Sequence, residues 1–372
     1  MLPPKKRLSQ QELQRRHEAV RAKMKERGLE ILLVSGIRFV AAAGYLRYLT
    51  NWAEPFGGEL LLFPYHGAPT FLARTEERAF LVTNLLGVQA TTGCTASHAA
   101  SVLEKTGCKR VGICGLKTMV AEFYVQLTTA LPAIEFVETS NILDEVRMIK
   151  SEEELGWVKK SADLTDMAFQ VFSQLARVGR SEYDVFVEVE HIVKQLGAEN
   201  TYFMMSADPR PVPKFLDLAF DNYQEGDLIL FNAEISGPGG YFTQLERTLS
   251  LGEPSEEAKL AYHVCVSALE AGESLLRSGK RTIEAYKAIR TTIEKAGYQM
   301  GLHPGHSQGL DIFERPILDG KDDVDLKRNM VIVLHPHVLM PSGGGVWIGE
   351  TYIVGQEDCS RLHKSDRELF VL

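Results

Sequence analysis

The chain has 372 residues, 45% hydrophobic and 24% charged, with 31 glycines and 15 prolines, which leaves no compositional case for disorder, a collagen-like repeat or a disulfide scaffold. Its 41 Lys and Arg against 49 Asp and Glu give a formal net charge of −8. That charge argues against a nucleic-acid partner, because neutralising phosphates needs clustered basic side chains. At roughly 100–200 residues per domain the length suits two or three domains. No stretch approaches the ~20 apolar residues of a membrane-spanning helix. The opening Met1–Arg16 segment has no apolar core of a signal peptide. Five scattered cysteines without Cys-x-x-Cys spacing suit a reducing, cytoplasmic setting and no thiolate zinc site.

Residues 8–28 read as a helix, with Ser9 as cap, Glu12 three later and Leu13, Val20 and Met24 as an apolar stripe. Ile31–Val34 is a short buried strand ending at Ser35-Gly36. Glu59–Pro64 and Pro69–Ala73 flank the His66-Gly67 turn as a hairpin. A helix over Glu77–Leu86, a strand at Arg110–Cys114, a helix over Val120–Ala130 and a strand at Ile134–Glu138 complete a small α/β layer domain ending near residue 145. Asp144–Ser151 reads as a charged linker.

Ser151 and Glu154 form a capping box that opens a helix to about Arg177, and a second helix runs over Glu182–Leu196. Leu228–Ile235 and Gly240–Leu251 are β runs joined by the sharp turn Ser236-Gly237-Pro238-Gly239-Gly240. Helices over Ser255–Ser278 and Thr282–Ala296 follow, then strands at Met330–Leu334 and Trp347–Val354. Helices segregated to one face of an antiparallel sheet make this part α+β.

Polar residues inside these strands carry the chemistry. Gln244, Glu246 and Thr248 share one face by the two-residue period. A Glu on a strand interior needs a partner. Arg247 or Arg210 would supply a structural ion pair; otherwise Glu246 anchors a cationic or amide-bearing substrate. His303 and His306 sit among Gly and Pro, where a ring nitrogen can face a cavity, and His335 and His337 alternate at a strand end. Their concentration in one third of the chain marks a site. A single metal held by these imidazoles is physically possible, but no HxxxH helix or acidic companion supports it. Arg38, Tyr45, Arg47, Tyr48, Trp52 and Phe56 form an aromatic and basic cluster in the first domain.

The junction from Arg147 to Leu155, the strand from Gly240-Tyr241 through Leu245-Glu246-Arg247-Thr248 and the turn Gly305-His306-Ser307 resemble the creatinase/aminopeptidase P/prolidase superfamily (M24), the pita-bread fold. The resemblance implies a small α/β N-terminal domain over 1–145 and a C-terminal pita-bread domain over 146–372, whose helices pack on a curved antiparallel sheet. Peptidase members hold two divalent metals through two Asp, one His and two Glu. Those positions fall near Asn232, at Gln244, at His306, at His335 and at Gly349 beside Glu350. Neutral amides bind divalent cations far more weakly than bridging carboxylates, so the expectation is no metal and no other cofactor. The metal-free creatinase branch reads as the closer match. Creatinase carries a His before the hairpin, where this chain has Ser206–Lys214 and no His, with Arg210 and Lys214 placed to capture a carboxylate.

The expected activity is therefore a metal-independent, creatinase-like hydrolysis of a C–N bond in a small polar or carboxylated molecule. His306, His335 and Glu246 move protons, because an unperturbed imidazole near pKa ~6.5 suits neutral pH. His303, His337, Arg210, Lys214, Gln244, Asn232, Glu350 and Tyr241 contact the substrate. A C–C or C–S lyase, a metal-dependent Xaa-Pro peptidase with a His-rich site and an inactive binding module remain open. The resemblance also implies a homodimer in which Trp52 or Arg47 of one N-terminal domain closes the neighbour's site.

Overall fold

Ser9 caps the first helix as its spacing requires, its hydroxyl accepting the Glu12 amide at 3.1 Å. The computed structural model describes residues 8–36, 44–53, 57–212 and 221–372. The chain divides into two compact units, Met1–Arg147 and Met148–Leu372.

The first unit runs α1 (Gln10–Glu26), β1 (Ile31–Ser35), α2 (Gly44–Thr50), β2 (Leu60–Pro64), β3 (Thr70–Ala73), α3 (Glu76–Leu81), β4 (Gln89–Thr92), α4 (Ala96–Thr106), β5 (Arg110–Cys114), α5 (Ala121–Ala130), β6 (Glu135–Glu138) and α6 (Ser140–Met148). The six strands form one sheet in the order β4-β3-β2-β1-β5-β6. The pairs β1–β2 and β2–β3 are antiparallel and the rest parallel, as helical crossovers require. The segment read as a charged linker is helical for most of its length, because Ile142 and Leu143 just before it are buried and tie α6 down.

The second unit begins with α7 (Glu152–Leu175), α8 (Glu182–Gln195), β7 (Asn200–Asp208), β8 (Leu228–Ser236), β9 (Phe242–Ser250), α9 (Glu256–Glu273) and α10 (Thr282–Lys295). Short strands then follow: β10 (Gln299–Met300), β11 (Gly305–Ser307), β12 (Glu314–Ile317), β13 (Val331–Leu334), β14 (His337–Leu339), β15 (Gly345–Trp347), β16 (Glu350–Val354), β17 (Cys359–Arg361) and β18 (Phe370–Val371). They make three sheets, ordered β18-β9-β8-β7, β12-β11-β13-β16-β17 and β10-β14-β15.

The capping box at Ser151 forms as read. Glu154 Oε2 accepts the Ser151 amide at 2.8 Å, and Ser151 Oγ accepts the Glu154 amide at 3.2 Å. The other oxygen of Glu154 accepts the Tyr241 hydroxyl at 2.8 Å, tying the start of α7 to the start of β9. Further along α7, Ser161 Oγ donates to the Tyr241 carbonyl and accepts the Gly237 amide, and Thr165 bonds Thr243. The turn between β8 and β9 needs glycine at 239, where φ is +90° and a Cβ would stand 2.9 Å from the Trp157 ring.

Every position of β8 and β9 is buried. Helix α7 covers one face, packing Phe169 and Phe172 on Phe231. The other face meets β16, where Glu246 and Gly349 exchange backbone hydrogen bonds and Thr351 Oγ1 bonds both backbone groups of Gln244. A polar side chain on that second face has no solvent to turn to, so it must be satisfied inside.

Candidate active site

Four side chains on the β8–β9 ladder form an alternating pattern. Asn232 stands opposite Glu246, and Glu234 opposite Gln244. Along each strand an amide again meets a carboxyl: Asn232 Nδ2 donates to Glu234 Oε1 at 3.4 Å and Gln244 Nε2 to Glu246 Oε1 at 2.9 Å. Gln308, one residue past β11, closes the cluster by donating to Glu234 Oε2 at 2.8 Å and Gln244 Oε1 at 3.4 Å. Gln308 is absent from the residues picked out by sequence. Its signal was a third polar residue following Gly305-His306-Ser307.

Neither carboxyl forms an ion pair with a Lys or Arg side chain among the described residues, although the charge of Arg247 favours the ionised form of Glu246. Burial pushes Glu234 up to about 8. Burial, with the neighbouring charge of Glu234, holds Glu246 well above its ordinary range. The expected ion pair of Glu246 with Arg247 does not form, because adjacent strand residues face opposite ways. Arg247 Nη2 instead bonds Glu350 Oε1 at 2.6 Å, and Arg210 is exposed, reaching the Ser342 carbonyl.

The imidazoles assemble beside β11 and β13. His303, His306 and His335 form a triangle with ring centroids 5.9, 5.1 and 5.1 Å apart, and Phe313 stacks on His306 at 4.2 Å. His306 Nδ1 lies 3.0 Å from the Ser307 carbonyl. A carbonyl only accepts, so that nitrogen carries the proton and Nε2 keeps its lone pair. Burial lowers His306 to about 3 and drives His335 well below the usual imidazole range, aided by the neighbouring His306 and His303. The expectation of ordinary imidazoles titrating near neutrality is corrected: these rings are neutral at pH 7.

His337 departs from its expected place. The chain leaves one sheet after β13 and enters another at β14, with Pro336, which has no N–H to continue a ladder, at the switch. His335 and His337 therefore serve different sheets. His337 lies against Trp347 between Gly301 and Gly345, whose added Cβ atoms would each come within 2.4 Å of its ring.

Other residues expected to meet substrate are engaged with protein groups within the chain. Glu350 is fully buried and accepts from Arg247, Arg361, Arg367 and Tyr352. Burial alone would raise its carboxyl, but the three guanidiniums outweigh that and hold it at about 2. Tyr241 gives its hydroxyl to Glu154. Trp52 donates to Glu59 Oε2 at 2.9 Å and meets Phe71 edge-on inside the first unit, where Tyr45 and Tyr48 are core and Arg47 is half-buried on α2. Lys214, Arg38 and Phe56 lie outside the described residues.

The residues do not fit a carboxylate-bridged pair of divalent ions. Among the described residues no three His, Cys, Asp or Glu side chains come together as ligands of an ion. Both oxygens of Glu234 and one of Glu246 already accept amide N–H groups, and Glu350 is committed to three arginines. Gly349 brings no side chain; a Cβ there would stand 2.9 Å from Glu246 Oε2, so Glu246 fills that space.

Residues 156–356 match the profile of metallopeptidase family M24, and residues 16–149 match the creatinase/prolidase N-terminal domain. The chain is 27% identical over 239 residues to an Xaa-Pro dipeptidase of Pyrococcus furiosus, covering 63% of this chain and 68% of that protein. It is 28% identical over 288 residues to an uncharacterized peptidase, YqhT, of Bacillus subtilis, covering 75% and 80%. The fold matches the Xaa-Pro dipeptidase from Bacillus anthracis with a TM-score of 0.83 at 24% identity, over 97% of this chain and 100% of the other. It also matches the prolidase from Pyrococcus horikoshii with a TM-score of 0.85 at 22% identity, over 96% and 100%. The α+β pita-bread architecture expected from the sequence is confirmed.

These likenesses overturn the expected place beside the metal-free creatinase branch, and with it the metal-independent, creatinase-like hydrolysis of a small polar molecule. The reason is one of weight. Substitutions at five positions record what a site has changed, whereas the match across two domains records which scaffold carries it. No helix among the described residues is long and apolar enough to cross a membrane.

Proposed function

Because the chain belongs to metallopeptidase family M24, we propose that it hydrolyses the amide bond of a short peptide, an Xaa-Pro dipeptide being the substrate class its relatives' names carry. The observation that carries this reading is a pair of buried carboxyls without ion-pair partners, on the hairpin of the matched region that also holds the neutral imidazoles.

The chain's own groups supply binding, orientation and proton transfer. His306 Nε2 offers a lone pair, and His335 Nε2 is buried with no partner. Neutral rings of this kind orient a water or an amide N–H; with pKa values this low they neither donate nor readily take up a proton at neutral pH. The proton that a departing amine nitrogen requires resides on a carboxyl, since Glu234 stays protonated at neutral pH. Gln244, Asn232 and Gln308 fix the two carboxyl groups in place, and Phe313 packs over the His306 ring.

The test is proline release from a panel of Xaa-Pro dipeptides by the full chain, with Mn²⁺, Co²⁺, Zn²⁺ or a chelator present in parallel. Release that falls at least 100-fold in both Glu246→Gln and His306→Ala, each with an unchanged far-UV spectrum, supports the assignment. No release under any ion condition, or full release by both folded variants, overturns it.

A further inference from the structure

The turn from Gln308 to Phe313 is built around one carboxylate, that of Glu314. Its Oε1 accepts the Asp311 amide at 3.4 Å. Both of its oxygens press on Gly309, where a Cβ would stand 2.4 Å from Oε1 and 2.6 Å from Oε2. The Gly309 carbonyl accepts the Phe242 amide at 2.7 Å, which pins the turn to the start of β9. At the two ends of the turn stand Gln308, which donates to Glu234, and Phe313, which stacks on His306. The pairing of β11 with β12 also slips here. His306 stands opposite Ile317 but Ser307 opposite Glu314, so one step along β11 spans three along β12. Irregularities of this kind re-aim side chains, and the register beside them has to be held.

Lys150 supplies the opposite charge. Its Nζ lies 2.9 Å from Glu314 Oε2, with 1% and 6% of the two side chains exposed. Its backbone is fixed in turn, the amide donating to the Asn329 carbonyl at 3.0 Å beside the Ile149–Met330 bridge. A buried ion pair adds little stability over apolar residues of the same volume, so its use points to geometry. We propose that Lys150 is a positioning residue of the site: through Glu314 it holds the 308–313 turn in the arrangement that keeps Gln308 on Glu234 and Phe313 on His306. The assignment rests on the peptidase reading only for its rate measurement. Misplacing a group at a reacting centre by about 1 Å costs on the order of 100-fold in rate, so Lys150 acts on turnover without touching the substrate.

Two variants of the full chain test this. Lys150→Met removes the ammonium, and Lys150→Met combined with Glu314→Gln leaves no unpaired charge behind, so it folds even where the single variant does not. Each folded variant is read twice: by kcat and KM for proline release, and by the NMR signal of the His306 ring proton, which the stacked Phe313 ring shifts and which His306→Ala identifies by its loss. The expected result is a kcat at least tenfold lower, a KM within threefold of wild type, and a His306 signal that loses the Phe313 shift. An unmoved His306 signal, a smaller fall in kcat, a loss carried by KM instead, or failure of the neutral double variant to fold overturns the assignment. Absence of proline release from the wild-type chain sinks the peptidase reading and leaves the His306 signal to decide this one. Proline release by wild type with an unmoved signal in the variants does the reverse.

Discussion

Replacing Glu350 by Gln separates the two roles that its position suggests. The carboxylate bonds Arg247 at 2.6 Å and Arg367 at 2.7 Å, and it also meets Arg361 and Tyr352. Its pKa of about 2 in the folded chain, against an ordinary 4.5, corresponds to a stabilisation of about 3 kcal/mol when the group is ionised. Breaking a buried pair and leaving guanidiniums uncompensated costs about 3–5 kcal/mol by an independent route. The two agree, so Glu350→Gln should lower the unfolding free energy of the second unit by about 3 kcal/mol at pH 7. The sign with pH follows from a depressed carboxyl: its contribution is complete above about 4.5 and vanishes as pH falls through about 2. Wild-type and variant curves should therefore converge in acid. Urea titrations followed by Trp fluorescence suit the purpose, because Trp347 is buried and its indole donates to the Arg247 carbonyl at 3.1 Å. A loss below about 1 kcal/mol at pH 7 with at least a tenfold rise in KM would refute the structural role and restore Glu350 to the substrate.

Two further outcomes follow from the hairpin. Glu234 has a raised pKa, about 8 folded against 4.5 unfolded, so the folded chain holds one more proton between those values and its stability should fall as pH rises across that window. The fall is on the order of 4–5 kcal/mol at most, and Glu234→Gln should flatten it in the same urea assay; an equally steep limb in the variant would show that another group titrates. Gly349→Ala places a methyl 2.8 Å from Glu246 Cγ, so it should displace that carboxyl, cost about 1–3 kcal/mol by overpacking and cut kcat/KM; thermal unfolding together with proline release checks both, and unchanged turnover would remove Glu246 from the site.

Much of the scaffold was legible because local signals agree with the tertiary result. The Ser9 and Ser151 caps, the Arg110–Cys114 strand and the glycine-rich turn before β9 each rest on neighbours in sequence. The elements that escaped lack such a signal. Helix α4 buries Ala96, Ala99, Ala100 and Leu103, a stripe too weakly apolar to stand out. Strand β7 carries Met204, Met205 and Ser206 and is recognisable only from its pairing with β8. In the site, Asn232, Gln244, Glu246, His306 and His335 were all picked out, but Gln308 and Phe313 were not. Gln308 meets Glu234 across 74 positions of sequence, and Phe313 meets His306 only because the chain turns back after β11. The Glu246–Arg247 pair could have been rejected from the strand period alone, which sends neighbours to opposite faces.

The alternation of amide and carboxyl explains how this hairpin holds two acids in a dry interior. Each carboxyl has an amide across the ladder and another along its own strand, so Glu234 and Glu246 meet only on the diagonal, where separations on a sheet run about 7–8 Å. A carboxylate at position 244 would face Glu234 directly and Glu246 along the strand, and one at 232 would do the converse. Either would need a cation to stay ionised. With amides there instead, the carboxyls receive N–H donors from the protein itself. The amides that stand where a metal pair would need carboxylates are thus the groups that let two acids share a dry interior.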